Sequence, residues 1–169
     1  MTTVVFNTKS TKALRNWFKA NGFPCGCGLL TNWENLFHIG FCFDPEVNRV
    51  KLPRSWECDF VQDNFLDYLK TQGLTTDANW LAMTILHEVG HAHTLNLFNE
   101  RELKATAKAK KNISTCRKYN DLLEANLDYW ALPVEDLANK WAITYANTFP
   151  KKTERLGKLL LRHCVITEG

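Results

Sequence analysis

No apolar run in this 169-residue chain approaches the roughly 18 to 20 residues that a membrane span requires. The opening "MTTVVFNTKSTKALRNW" also lacks the basic-then-apolar layout of a secretory leader. Together these absences lead to the expectation of a cytoplasmic protein with no membrane partner. Net charge is only +3, too little to imply a nucleic-acid partner by itself. Repeats, low-complexity tracts and linkers are also missing. Cysteine is present six times, but only Cys25 and Cys27 lie close together, and a zinc knuckle needs two such pairs. "CGC" therefore reads as a tight turn with small buried thiols, in a reducing compartment where free thiols are the default.

What is present fits one ordinary globular domain: 45% hydrophobic and 23% charged residues, enough chain to bury about two thirds of its unfolded surface. "TTVVFN" reads as a short strand. "STKALRNWFKANG" reads as a helix with Ser10 as N-cap and Gly22 just past its end. "FPCGCG" reads as a loop. "LFHIGFCFDPEVNRVKLP" reads as a hairpin, with Phe37, Ile39, Phe41 and Phe43 alternating, a turn at "DPEVN", and a second strand from Arg49 to Leu52. "WECDFVQDNFLDYLKTQG" has helical spacing through Phe60, Phe65, Leu66 and Leu69, and Gly73 ends it.

Beyond about residue 75 the pattern is nearly all helical, with Asp77 as the expected cap of a helix running to about Leu95 and with Pro133 and Pro150 opening two later helices. The fold class expected is α+β: a small N-terminal β-sheet (1–74) against a mostly helical part (75–169), both in a single domain over 1–169.

The stretch "TILHEVGHAHTL" carries the chemistry. Residues four apart on a helix differ by about 40° in direction, so His87 and His91 can offer imidazole nitrogens to one ion. Glu88, beside the first of them, is placed to take a proton from a water on the metal. In this composition an HExxH pattern arises by chance in roughly one such sequence in a hundred, so context has to decide. His93 points about 200° away from His91 and reads as second-face packing or a surface residue. Gly90 costs about 1 kcal/mol against alanine in mid-helix, which asks for close approach of another backbone.

A partner surface lies downstream. In "PVEDLANKWAITYANTF", Glu135, Ala138, Asn139, Ala142 and Ala146 share one helical face. Small residues on two facing helices would let both reach a single ion through bonds of about 2 Å, with Glu135 as third ligand. The bland alternative is a first-turn glutamate favoured by the helix dipole, with Asp136, Asp128 and Glu124 as fallbacks for the third ligand.

"HEVGH" followed by "VEDLANKWA" and "TYANTFP" resembles the zinc peptidases of the ImmA/IrrE type, whose pattern is HExxH and then ExxAN with an aromatic and an alanine close behind. The matching positions are His87, Glu88 and His91, then Glu135, Ala138, Asn139, Trp141 and Ala142, and the resemblance covers roughly 77–150. It implies a gluzincin-like site with zinc on His87, His91 and Glu135, Glu88 as base, a small sheet beside the active helix, and cleavage of a peptide bond in a regulatory protein. Tyr129 is the candidate donor for the developing oxyanion, with Tyr145, His163 and His93 as alternatives. Trp130, Trp141 and Phe149 read as core.

Two competing functions remain open. One is a metal-binding regulator that hydrolyses nothing. The other is a nucleic-acid or acidic-partner module using 101–118, where Lys104, Lys108 and Lys111 share a face with Arg117 and Lys118 beyond. No aromatic residues interleave there to stack on bases, which favours reading the segment as a solvated surface or a lid beside a cleft.

Overall fold

The computed structural model describes residues 2–31, 40–57, 59–71, 73 and 79–168. Asn7 caps the first helix, α1 (Thr8–Ala20): its side chain accepts from the amides of Lys9 and Ser10, and Ser10 returns a bond to the Asn7 amide. Ser10 is therefore the third residue of the helix rather than its cap, because Asn7 satisfies the exposed donors one turn earlier. The Ser10 hydroxyl also bonds the backbone carbonyl of His163. Gly22 follows the helix with φ +69°, as a C-terminal glycine should.

The strands form two three-stranded sheets. In the first, β1 (Thr2–Val5) lies between β5 (Ser55–Glu57) and β6 (Val165–Glu168), antiparallel to both. In the second, β4 (Arg49–Leu52) lies between β2 (Gly26–Leu29), which runs parallel to it, and β3 (Cys42–Asp44), which runs antiparallel. The expected hairpin is present as β3 and β4, with Phe43 opposite Val50. Phe37 and Ile39 lie outside the described residues. "FPCGCG" is not simply a loop, since Gly26 to Leu29 pair along β4. Glycine normally weakens a strand, but here every one of these four residues has a register partner and Cys27 is buried. Cys25, Cys27 and Cys42 are free buried thiols, and Cys58 lies outside the described residues.

The helices follow as α2 (Asp59–Thr71), α3 (Trp80–Thr94) with a short 3₁₀ turn at Leu95–Leu97, α4 (Glu100–Thr115), α5 (Tyr119–Trp130), α6 (Pro133–Thr148) and α7 (Pro150–His163). The α3 cap is Asn79, whose side chain accepts from the Ala82 amide at 2.9 Å; Asp77 lies outside the described residues. Gly157 in mid-α7 leaves room for that cap, because a Cβ there would run into the Asn79 side chain.

From Leu81 to His91 only Thr84 escapes burial, so α3 is the central helix of the core rather than an amphipathic surface one. Its apolar residues pack with Val4, Leu14, Phe18, Val50 and Leu52 from the N-terminal part and with Leu156 and Leu160 of α7. The class is mixed α+β, as expected. Trp130 is core at 5% exposure, and Trp141 is half-buried against it. Phe149 is 42% exposed and not core: it sits at the α6–α7 junction with the Lys152 ammonium 4.9 Å from its ring centroid. No described helix is long and apolar enough to cross a membrane.

Candidate metal centre

Two helices make the site, and their contact explains its position. A Cβ on Gly90 of α3 would lie 2.7 Å from the Ala138 carbonyl oxygen and 3.1 Å from the Ala138 Cα on α6. Only glycine permits this approach. Along the rest of the seam α6 turns Ala142 and Ala146 inward, both buried, so the two backbones run close together. One turn before Ala138, Glu135 therefore faces the histidine pair.

The Glu135 carboxylate is 2% exposed. Its Oε2 lies 2.9 Å from His87 Nε2 and its Oε1 lies 3.3 Å from His91 Nε2. The imidazole rings are 4.7 Å apart at 83°. Asn139, one turn on, presents Oδ1 at 2.7 Å from His87 Nδ1. An amide oxygen only accepts, so Nδ1 donates and neutral His87 meets the carboxylate with the lone pair of Nε2. Two lone pairs at 2.9 Å repel unless a proton or a cation sits between them.

A cation fits. The three donor atoms lie within 4.8 Å of one another, and all three residues are buried. Metal bonds of about 2.0–2.2 Å at tetrahedral angles place donor atoms roughly 3.3–3.6 Å apart, a spacing that small side-chain shifts within this cluster would supply. Two buried atoms of the set, His91 Nδ1 and Glu135 Oε2, have no hydrogen-bond partner among the described residues. For Oε2 this stands beside the short contact with His87, because proximity to an unprotonated nitrogen is not a hydrogen bond. The cluster is a candidate site for a metal ion.

Without metal the same groups perturb one another. Burial works against the charge on Glu135, but the charge of His91, a hydrogen bond from each imidazole once protonated, and the charge of His87 outweigh it and hold the carboxyl well below its usual range. For His87, burial disfavours the imidazolium; Glu135, then Glu88 and Asn139, outweigh that and raise its pKa.

Tyr129, at the end of α5, donates its hydroxyl to Glu135 Oε1 at 2.8 Å. Burial first, then the charges of Glu135 and Glu88, push its pKa well above normal, so it stays a donor. Behind His87, the Phe65 ring packs at 5.9 Å and 80°.

A cleft of about 260 Å³ opens beside His91 and Glu135. Glu88, His91, Tyr129 and Glu135 line it together with Cys42, Phe43 and Pro45 of the hairpin and Leu103, Thr106, Ala107 and Lys110 of α4. The segment that carries 101–118 thus lines the cleft. Lys104 on it is tied to Glu100 at 2.6 Å.

The fallback acids are elsewhere: Asp136 pairs with Lys140 at 2.6 Å, and Glu124 and Asp128 are exposed. His93 is a surface residue, stacked on Trp141 at 4.7 Å and 17°. Tyr145 continues that stack at 5.4 Å from Trp141, and neither it nor His163 lines the cleft. Among the described residues no second His/Cys/Asp/Glu cluster has metal-binding geometry, and Cys25 and Cys27 form none. Sequence reasoning missed the Asn139 bond to His87 and the presence of Cys42 and Lys110 in the cleft. Asn139 was visible on the small-residue face; the other two depend on chain segments that meet only in three dimensions.

No family model, curated protein or solved structure matches the chain.

Proposed function

We propose that this protein is a zinc-dependent peptidase of the ImmA/IrrE type that hydrolyses a peptide bond in a specific protein substrate. The observation that carries the reading is the meeting of His87, His91 and Glu135 at a cleft that Glu88 also lines. Two imidazoles and one carboxylate are a donor set that catalytic zinc accepts, Glu88 beside the first histidine completes the HExxH arrangement of zinc peptidases, and a metallopeptidase-like core is the corresponding reading of the fold. Zinc, when bound, supplies a Lewis acid that acidifies water and polarises the scissile carbonyl.

The chain's own residues do the rest. Glu88 takes the proton of the attacking water and returns it to the leaving amine. Asn139 holds His87 in the tautomer whose Nε2 lone pair faces the ion. Tyr129 orients Glu135 through its hydroxyl; to donate to a substrate oxyanion instead, it would have to release that bond. Phe43, Leu95 and Val134 exclude water from the reacting carbonyl.

Elemental analysis tests the metal. The wild type is expected to hold one zinc per chain and Glu135→Ala to lose most of it; gently purified wild type without metal would refute the site. Glu88→Gln tests hydrolysis: it should keep zinc and stop cleavage of candidate substrates in cells. If Glu88→Gln acts like the wild type, the protein is a metal-binding regulator. A salt-sensitive shift of labelled DNA or RNA, abolished by neutralising Lys108 and Lys111, would instead assign α4 to nucleic acid.

A further inference from the structure

The cleft holds one charged group that hydrolysis does not use. Lys110, half-buried on α4, lines the same space as Glu88, His91 and Glu135. Other cations nearby are held by acids: Lys104 by Glu100 at 2.6 Å, and Lys51 on the hairpin by Asp44 at 2.7 Å. Among the described residues the Lys110 ammonium makes no ion pair and no side-chain hydrogen bond. The charge of Lys110 reaches Cys42, which also lines the cleft. Burial pushes the Cys42 thiol up to about 11 and the charge of Glu88 adds to this, while the charge of Lys110 opposes it.

Charge balance then points one way. Glu88 and Glu135 together neutralise a divalent cation, so Lys110 leaves the loaded cleft with an excess positive charge. Phe43, Leu95, Leu103 and Val134 supply apolar walls, which weaken the screening of that charge by water. We propose that Lys110 is a specificity residue that selects substrates carrying a carboxylate beside the scissile bond, either an Asp or Glu side chain or a free C-terminus. This rests on the cleft being the substrate site of the reading above.

Binding, which needs no hydrolysis, tests the proposal. Zinc-loaded protein is titrated calorimetrically with three pairs of peptide hydroxamates: Asp against Asn on the amino side of the metal-binding group, Asp against Asn on the carboxy side, and a free C-terminal carboxylate against its amide. Wild type should bind the acidic member of at least one pair on the order of tenfold more tightly, and which pair responds identifies the source of the carboxylate. That preference should vanish in Lys110→Met, reverse for a Lys-bearing hydroxamate in Lys110→Glu, persist in Lys110→Arg, and shrink as salt rises.

Equal affinities within all three pairs, a preference that survives Lys110→Met, or failure of every hydroxamate to bind the zinc-loaded protein would each overturn it. A preference found in a protein that cuts nothing would leave the Lys110 site standing and remove hydrolysis. Cleavage indifferent to acidic residues, with equal binding within the pairs, would do the reverse.

Discussion

At the scale of single residues, the side chains that touch the three candidate ligands set how firmly they are held. Asn139→Ala removes the acceptor on His87 Nδ1 and frees the ring to rotate or change tautomer. Zinc affinity is expected to fall about 10- to 100-fold, read by competition with a chromophoric chelator. Tyr129→Phe separates two roles for one hydroxyl. If the bond to Glu135 is its whole contribution, the variant binds zinc more weakly by about 1.5–3 kcal/mol, the range for hydrogen bonds to charged groups, and keeps its turnover per zinc-loaded molecule. A fall in turnover at full zinc occupancy would show that the phenol reaches the reacting oxygen.

The histidine pair and Glu88 were legible in the sequence because they lie within one helical turn, where spacing fixes direction. Glu135 was legible as one acid among several. What distinguishes it from Asp136, its neighbour, is a rotation of about 100° around α6, which buries one carboxylate against imidazoles and leaves the other to pair with Lys140. Lys110 was not legible as a site residue. It stands beside Lys111 in a basic run, and only the placement of α4 at the cleft, which Lys110 lines and Lys111 does not, separates them.

At the scale of elements, the seam between α3 and α6 is the feature that a single change would break. Gly90→Ala places a methyl group against backbone, at 2.7 Å from a carbonyl oxygen, where no side-chain rotation can relieve it. The helices must part, so urea unfolding of the metal-free variant should show a loss at or above the upper end of the roughly 1–3 kcal/mol typical of overpacked cores. Zinc affinity should fall with it, because Glu135 moves with α6. Retained affinity would show that the ligands are not held by this seam. The glycine and the alanine stripe announced such a contact in advance.

Several boundaries were hidden for reasons that are also local. Asn7 outcompetes Ser10 as a cap because it lies one turn earlier with nothing to prevent the helix from starting there. The strand at Gly26–Leu29 has no hydrophobic alternation to announce it and exists because β4 supplies a parallel partner. Likewise β5 and β6 are short flanks that form because β1 offers both its edges.

For the whole molecule, the buried Glu135 carboxyl and the His87 imidazole link stability to pH, and metal reverses the trend. In the metal-free protein His87 has a raised pKa, so its contribution is fully present below its usual value of about 6.5 and is lost as pH rises through the folded value. Glu135 has a depressed pKa, so its contribution is present above the usual carboxyl range and is lost as pH falls through the folded value. The metal-free site therefore stabilises the fold most in mildly acidic solution, where both contributions are present, and less as pH rises and His87 loses its proton. Zinc requires unprotonated His87, so the gain in melting temperature on adding zinc should grow from about pH 5.5 to about pH 8.5. Thermal unfolding with chelator and with saturating zinc checks this, and a gain that shrinks as pH rises would contradict the ligand assignment.

The carbonyl resting where a glycine side chain would be has one more consequence. Because the two backbones already touch, the jaws formed by α3 and α6 cannot tighten; they can only spread, and spreading unseats the alanines along the whole seam. Ionic radius thereby becomes a mechanical variable: a cation demanding longer bonds would have to wedge open the middle of the protein to be admitted.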